Sequence, residues 1–184
     1  MNYDEAFSRV IGHEGAFQND RNDRGNWTTG VIGKGELKGT NYGISAMSYP
    51  DLDIRNLTLQ QAKDIYYRDF WLRVEGDSLH DALVYQLFDA AINHGAGNAI
   101  RMLQRAVGVL DDGSFGSITR KAIKRRGIDD TLKLFNAQRI RFFTRLSTFR
   151  LYGAGWMNRV AQNLEYAADD YTAPWYEHVT LRAT

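Results

Sequence analysis

Carboxyl groups in two different settings lie close together in the stretch IGHEGAFQND, from Ile11 to Asp20, and the loop after it. Glu14 falls on the apolar stripe of a predicted helix, where that helix is expected to end. Partial burial and the unpaired carbonyl groups at a helix C-terminus both favour the protonated carboxyl. Asp20 and Asp23 follow in a polar loop, where a solvated aspartate near arginines is expected to stay ionised. Glycosidases cut their bond with one protonated and one ionised carboxyl group, so this pattern indicates glycoside hydrolysis.

Each of these acids also has a structural interpretation. Glu14 could be an ordinary ion-paired or capping glutamate at a helix end. Loop aspartates usually accept hydrogen bonds from their own backbone in turns, so Asp20 and Asp23 are not both assigned to catalysis. Thr40, in the stretch GTNYGIS, supplies a hydroxyl in a glycine-rich turn that could orient a water molecule.

Another acid, Asp89, shares a predicted helix face with Asn93, one turn further on. A buried aspartate needs a partner, which favours a structural hydrogen-bond network over a place in the lining of a sugar cleft. Both residues remain candidates for substrate binding. Trp27, Trp71 and Tyr42 could stack on sugar rings, although aromatic residues more often belong to the core. Tyr42 is the best of the three because it is close to Thr40 in the sequence.

The composition argues against cofactor and metal chemistry. The chain has no cysteine, which excludes disulfides, a thiolate nucleophile and cysteine-ligated zinc. Phe17 stands where a His-Glu-x-x-His motif would need its second histidine, and the four histidines have no ligand spacing. We therefore expect neither a metal nor a cofactor.

Hydrophobic periodicity predicts a mainly α-helical protein with a small β-hairpin region after the first helix. At 184 residues with 43% hydrophobic side chains, the chain is expected to form one domain over residues 1–184. Thr58 and Gln61 have the spacing of a capping box, which predicts where the second helix begins. The predicted elements are a first helix ending near Glu14, a hairpin region over 25–43, and helices within 57–71, 81–95, 98–107, 110–127, 129–149 and 156–170.

Positive charge is concentrated in one part of the chain. The net charge is +1, yet residues 117–159 carry 11 basic and 2 acidic side chains. This block indicates an anionic partner, either a bacterial envelope or a nucleic acid, unless it is simply a solvated helical face. The basic residues predicted to form this surface are Lys121, Lys124, Arg125, Arg126, Arg139, Arg141, Arg145 and Arg150.

The N-terminal sequence has neither the basic region nor the apolar run of a signal peptide, and no stretch approaches the length of a membrane span. We therefore expect synthesis in the cytoplasm. If the substrate lies outside the membrane, another component must let the protein through.

Two blocks, HEGAFQNDRNDRG and GTNYGIS, resemble the signature of the glycoside hydrolase 108 family. The resemblance continues through LTLQQAKDIYYRDFW, LFDAAINHGAG and LQRAVGVLDDGSFGSIT, and so covers nearly the whole chain. Members are lysozyme-like N-acetylmuramidases, many of them phage endolysins. The resemblance implies that Glu14 is the general acid, that Asp23 is the second carboxylate, and that Thr40 is the threonine of the family motif.

The chain departs from the family pattern in the aspartate loop. Arg21 and Arg24 replace two prolines, and Ala16 replaces a glycine. A longer glycine-rich insertion precedes Thr40. These differences keep Asp20 open as the second carboxylate, and Thr28 and Thr29 as alternative hydroxyls.

The resemblance implies hydrolysis of the β-1,4 bond between N-acetylmuramic acid and N-acetylglucosamine in peptidoglycan. The alternatives are a lytic transglycosylase, a non-catalytic wall-binding protein, or a nucleic-acid binder built on residues 117–159. Asn41 joins Tyr42 as a candidate substrate-binding residue. Residues 1–95 would hold the catalytic motifs, and residues 96–170 would form a helical lobe, packed on the first, that resembles a peptidoglycan-binding region.

The expected partners are peptidoglycan and, through the basic segment, an anionic envelope, with no nucleic acid. The protein is expected to be a monomer. It would act on the wall after permeabilisation of the inner membrane, and analogy with phage-type lysozymes favours inversion at the cleaved sugar carbon.

Overall fold

The computed structural model describes residues 1–11 and 17–180, with the backbone alone for 172–180. Within these residues the protein is mainly α-helical with one two-stranded antiparallel sheet, as the sequence predicts. The elements are, in chain order, α1 (Tyr3–Ile11), β1 (Thr40–Asn41), β2 (Ile44–Ser45), α2 (Leu59–Tyr66), α3 (Asp81–His94), α4 (Ala96–Val107), α5 (Ser117–Arg126), α6 (Ile128–Thr144) and α7 (Phe149–Thr180).

The small sheet is a tight hairpin. Thr40 pairs with Ser45, and Asn41 pairs with Ile44. The two residues between the strands are Tyr42 and Gly43, with φ angles of 50° and 73°. Two consecutive positive φ angles define the turn that best fits the twist of a two-residue hairpin. The hairpin therefore fixes the direction of the chain next to Thr40.

Residues 4–68 form one compact unit. Its core includes Phe7 of α1 and Tyr66 of α2, whose rings meet edge to face with centroids 5.7 Å apart. The capping box predicted at the start of α2 is confirmed, because Thr58 and Gln61 bond reciprocally. The ring contact holds the two helices of the unit together, and the capping box stabilises the first turn of α2.

Residues 1–3 and those from 69 onward form the second compact unit. Its central helix is α3, which is buried from Ala82 to Ala91 and contacts α4, α6 and α7. A helix that is apolar almost all round is stable only when neighbours cover it on several sides. The predicted division near residue 95 is not tested by this arrangement and stays a prediction.

Two predicted positions were wrong. The hairpin region predicted over 25–43 has its strands at Thr40–Asn41 and Ile44–Ser45, and Trp27 and Leu37 pair through an isolated bridge.

The second difference concerns the helices near the C-terminus. The helix predicted over 129–149 ends at Thr144, and the next helix begins at Phe149, seven residues before its predicted start. The break brings Phe143 of α6 against Trp156 of α7, with the rings stacked 5.0 Å apart. Packing of these rings favours a return of the chain over continuation of one long helix, which local periodicity does not reveal.

Among the described residues, no helix has both the length and the apolar composition that a membrane span requires.

Candidate active site

Asp23 stands at the start of a short 3-10 helix over Arg24–Asn26. Its Oδ1 atom accepts a hydrogen bond of 2.8 Å from the backbone N–H of Gly25, as aspartate commonly does at a helix start. The side chain is exposed, and its Oδ2 atom accepts a bond of 3.2 Å from Nε2 of Gln18. The carboxylate is therefore held by the loop while remaining open to solvent.

A network of amide groups connects Asp23 with Thr40. Nε2 of Gln18 also donates to Oδ1 of Asn26 at 3.2 Å, and Nδ2 of Asn26 donates to Oε1 of Gln18 at 2.7 Å. The Thr40 hydroxyl donates to the same Oδ1 of Asn26 at 2.7 Å. Asn26 is fully buried, so its position is set by these bonds and by its surroundings. The catalytic candidates Asp23 and Thr40 thus belong to one hydrogen-bonded network.

Main-chain hydrogen bonds also hold this network in place. Gln18 and Thr40 exchange two main-chain hydrogen bonds, of 2.9 Å and 2.8 Å. Gly39 precedes Thr40 with φ of 88°, and a Cβ atom there would lie 2.5 Å from the carbonyl oxygen of Gln18. Only glycine tolerates both the conformation and the close approach. Gly39 therefore allows the loop that carries Asp23 to pair with β1.

Two groups of the network, the Thr40 hydroxyl and the Asp23 carboxylate, can still accept hydrogen bonds. Because the Thr40 hydroxyl donates a hydrogen bond to Asn26, its oxygen remains free to accept a hydrogen bond from another group. The exposed Asp23 carboxylate is also an acceptor. Each of these two oxygens can therefore accept a hydrogen bond from a water molecule.

Glu14, the predicted general acid, lies outside the described residues, as does the whole segment 12–16. Its role stays a prediction. The described part of the site supplies the carboxylate and the hydroxyl that would work with it.

Asp20 stabilises the loop in which it lies. Its Oδ1 atom accepts a bond of 2.9 Å from the N–H of Asn22, and its carbonyl oxygen accepts a bond of 2.9 Å from Asn26. The alternative hydroxyls also order local backbone. Thr28 accepts from the N–H of Glu36 at 3.0 Å, and Thr29 donates to the carbonyl of Lys34 at 2.8 Å.

The candidate sugar-binding residues have different surroundings. Asn41 is buried and donates to the carbonyl of Ile54 at 3.1 Å, which stabilises the fold. Tyr42 is half-buried in the hairpin turn, and its carbonyl oxygen accepts a bond of 3.0 Å from the hydroxyl of Tyr66.

Of the two candidate tryptophans, Trp27 is part-exposed, and its indole N–H donates to the carbonyl of Arg21 at 3.0 Å. Trp71 is fully buried against Phe88, with ring centroids 5.4 Å apart. The suggestion that Trp71 stacks on a sugar was therefore wrong, since its ring belongs to the core.

Asp89 is the centre of a buried polar network in the second unit. Its carboxylate pairs with Arg139 at 2.6 Å and Arg159 at 2.8 Å, and accepts a bond of 2.6 Å from Asn163. Nδ2 of Asn93 donates to the Asp89 carbonyl at 2.7 Å and to its carboxylate at 3.3 Å. These contacts give Asp89 and Asn93 a structural role and leave the carboxylate committed to protein partners.

Burial opposes ionisation of Asp89, but the charges of Arg139 and Arg159 outweigh it and lower the pKa of Asp89 below its usual value. Nearby, His94 packs against Phe142 and Phe143. Burial, assisted by the charge of Arg139, lowers the pKa of His94 from 6.5 to about 4.

This network also corrects the predicted basic surface. Arg139 is fully buried and paired with Asp89, so it is not part of any exposed face. The position of Arg139 in the sequence could have indicated its burial. Leu132, Phe135 and Phe143 are buried on the same stripe of α6, and Arg139 lies between them.

Gln18 and Asn26 were also missed, because amide residues in a loop follow no periodic pattern. Within the part of the chain that the structure describes, no cluster of three His, Asp or Glu side chains is arranged to hold a metal ion.

Comparisons with known proteins match both parts of the chain. Residues 7–95 match the family model described as glycosyl hydrolase 108, and residues 98–161 match one described as a predicted peptidoglycan domain. The solved structure of SagA from Brucella abortus is similar, with 28% sequence identity over 90% of this chain and 93% of that chain, and a TM-score of 0.77. No curated protein matches the chain. The expected fold class, mainly α and lysozyme-like with a small hairpin, is confirmed.

Proposed function

Since residues 7–95 match the glycosyl hydrolase 108 family, and the protein is a glycoside hydrolase that degrades peptidoglycan, we propose that it cleaves the β-1,4 bond between N-acetylmuramic acid and N-acetylglucosamine. Glu14 donates a proton to the leaving oxygen. Asp23 stabilises developing positive charge or accepts a proton from the attacking water. Thr40 helps to place that water.

The observation that carries this proposal is the hydrogen-bonded network from Asp23 through Gln18 and Asn26 to Thr40. A water that donates one hydrogen bond to Asp23 and one to Thr40 keeps a lone pair for attack on the sugar carbon. General acid–base assistance of this kind typically contributes a factor of about 10² to 10⁴ in rate. Holding the two acceptors in advance reduces the reorganisation needed during the reaction.

The same network favours Asp23 over Asp20 as the second carboxylate. The Asp23 side chain contacts Gln18, whereas Asp20 takes part through its backbone and uses a side-chain oxygen for the turn at Asn22. A carboxylate that activates water implies inversion at the sugar carbon. NMR spectroscopy of the first product anomer tests this, because an inverting enzyme releases the α-anomer from a β-linked substrate.

We also propose an endolysin role, which the family resemblance supports. The protein would accumulate in a host cytoplasm and reach the wall once the inner membrane is opened. Expression in a bacterium, with and without a membrane-permeabilising agent, checks this. Lysis is expected only with the agent.

The test of the proposed reaction is digestion of purified peptidoglycan, followed by mass spectrometry of the released muropeptides. A muramidase releases fragments with a reducing muramic acid end, whereas a lytic transglycosylase releases 1,6-anhydro ends. Glu14→Gln is expected to remove activity. A non-catalytic wall-binding protein would release no muropeptides, and activity retained by Glu14→Gln would exclude Glu14 as the acid.

A further inference from the structure

The second unit contains a cavity of 330 Å³ beside the junction of α5 and α6. One part of its lining is basic and the other part is apolar. The residues that matter here are His80, Arg120 and Lys124 on the basic part, and Leu79, Ile123 and Ile128 on the apolar part.

Hydrogen-bond donors dominate the polar part of this lining. Arg120 pairs with Glu75 through Nη1, and its guanidinium group has further N–H donors. Nδ1 of His80 accepts a bond from the N–H of Ala82, so the proton of the neutral ring lies on Nε2, which can donate. Lys124 is exposed and forms no ion pair with a described residue. The cavity is therefore suited to an anion.

The apolar part limits the kind of anion. Leu79 and Ile128 are part-exposed and offer a surface for small aliphatic groups, which a phosphate or a nucleic-acid backbone does not possess. A peptide that ends in alanine places a methyl group next to a carboxylate. Arginine and lysine bind carboxylates through charge-assisted hydrogen bonds, and a short apolar contact adds to them.

We propose that this cavity binds the C-terminal carboxylate and terminal alanine methyl groups of peptidoglycan stem peptides. The inference rests on the proposed function in taking peptidoglycan as the polymer. It is supported by the match of residues 98–161, which include α5, to a predicted peptidoglycan domain. The cavity would hold the wall while the separate Asp23 network performs the reaction.

The surrounding surface supplies attraction at longer range. Lys121, Arg125 and Arg126 on α5 are exposed, and a surface of one sign raises the local concentration of an oppositely charged polymer. The buried Arg139 makes no contribution. Of the predicted basic surface, the structure removes Arg139 and places Lys121, Lys124, Arg125 and Arg126 together on α5, beside the cavity.

The test uses the full chain and a synthetic N-acetylated stem peptide, L-Ala-γ-D-Glu-L-Lys-D-Ala-D-Ala, with its C-terminal amide as the comparison ligand. Titration calorimetry is expected to show that the acid binds at least about tenfold more tightly than the amide, because a charge-assisted hydrogen bond is lost. Lys124→Glu is expected to weaken binding of the acid by about tenfold or more. Lys121→Glu, with the same charge change on the same helix but outside the cavity, should weaken it by about twofold or less.

Equal affinity for the acid and the amide would overturn the proposal. So would an equal loss in Lys121→Glu and Lys124→Glu, since this would indicate general surface charge. Displacement of the peptide by a short DNA duplex at equal concentration would assign the cavity to phosphate polymers instead. Circular dichroism of each variant verifies that it is folded.

Asp23→Asn separates this inference from the proposed reaction. It should bind the peptide as wild type does while losing hydrolysis. Peptide binding by a wild-type protein that releases no muropeptides would contradict the proposed reaction alone, and hydrolysis without peptide binding would contradict the cavity assignment alone.

Discussion

Two aspartates of this protein have opposite surroundings. Asp23 lies on an exposed loop, and neutral groups, a glutamine amide and a backbone N–H, hold its carboxylate. Asp89 is fully buried, and two arginines and two asparagines surround its carboxylate. An ion pair in the interior requires every partner, whereas an exposed carboxylate can exchange its contacts with water. The difference indicates that Asp89 stabilises the fold and that Asp23 is available for chemistry.

The largest effect on stability is expected for the buried pair. Arg139→Met leaves Asp89 buried with one arginine fewer, which should reduce the free energy of unfolding by about 3–5 kcal/mol. Urea unfolding measures this. Arg141→Met is the matched control on the same helix, since Arg141 is exposed and its replacement should change stability by less than about 0.5 kcal/mol. Equal effects would show that burial of Arg139 does not decide its role.

The next largest effect is the pH dependence of stability that His94 causes. Its pKa of about 4 in the folded protein lies below the ordinary 6.5, so the unfolded chain binds the proton more tightly. Stability from this residue is present above pH 6.5 and is lost as the pH falls towards 4, by about 3 kcal/mol in total. Asp89, whose pKa is lowered, contributes a further loss only below its usual value of 3.8.

Urea unfolding of wild type and His94→Gln between pH 7 and pH 4 checks this prediction. The variant lacks the titrating ring, so its stability should depend less on pH over this range. The same pH dependence in both proteins would mean that other groups cause the loss.

A smaller effect, on the reaction rate, is expected in the network of the exposed Asp23. Thr40→Ala removes one acceptor for the attacking water and should lower the rate of muropeptide release by roughly tenfold, which corresponds to about 1.4 kcal/mol. Thr29→Ala is the control, because the Thr29 hydroxyl bonds within its own loop, to the carbonyl of Lys34. A rate loss in Thr29→Ala as large as in Thr40→Ala would indicate a general disturbance of the loops.

The two regions also differ in how far the sequence predicts them. The helix over residues 81–94 and the capping box at Thr58 follow from local pattern, because periodicity and spacing act over a few residues. The sequence places Asp23 and Thr40 among the candidates, since motif residues stand close together. The partners of Asp89 lie 50 and 70 residues away, and no local pattern specifies them.

The network that holds Asp23 lies between these two cases, because the sequence indicates its catalytic candidates but not the residues that connect them. Gln18 and Asn26 are loop amides whose role depends on the backbone pairing of residue 18 with residue 40. That pairing in turn requires Gly39, where the chain adopts a positive φ and passes close to Gln18. Such a contact arises from the path of the chain, so it could be recognised only once the structure was known.

The central claim is that the exposed Asp23, held by Gln18, is the second carboxylate of the reaction. Its most direct test is the rate of muropeptide release from purified peptidoglycan by Asp23→Asn and Asp20→Asn, with unfolding curves for both. Asparagine can still accept the bond from Gly25, so Asp23→Asn should fold normally yet lose a factor of about 10² to 10⁴ in rate. Asp20→Asn should stay within about threefold of wild type, because its side chain only orders a turn. Full activity in Asp23→Asn, or a greater loss in Asp20→Asn, would contradict the account.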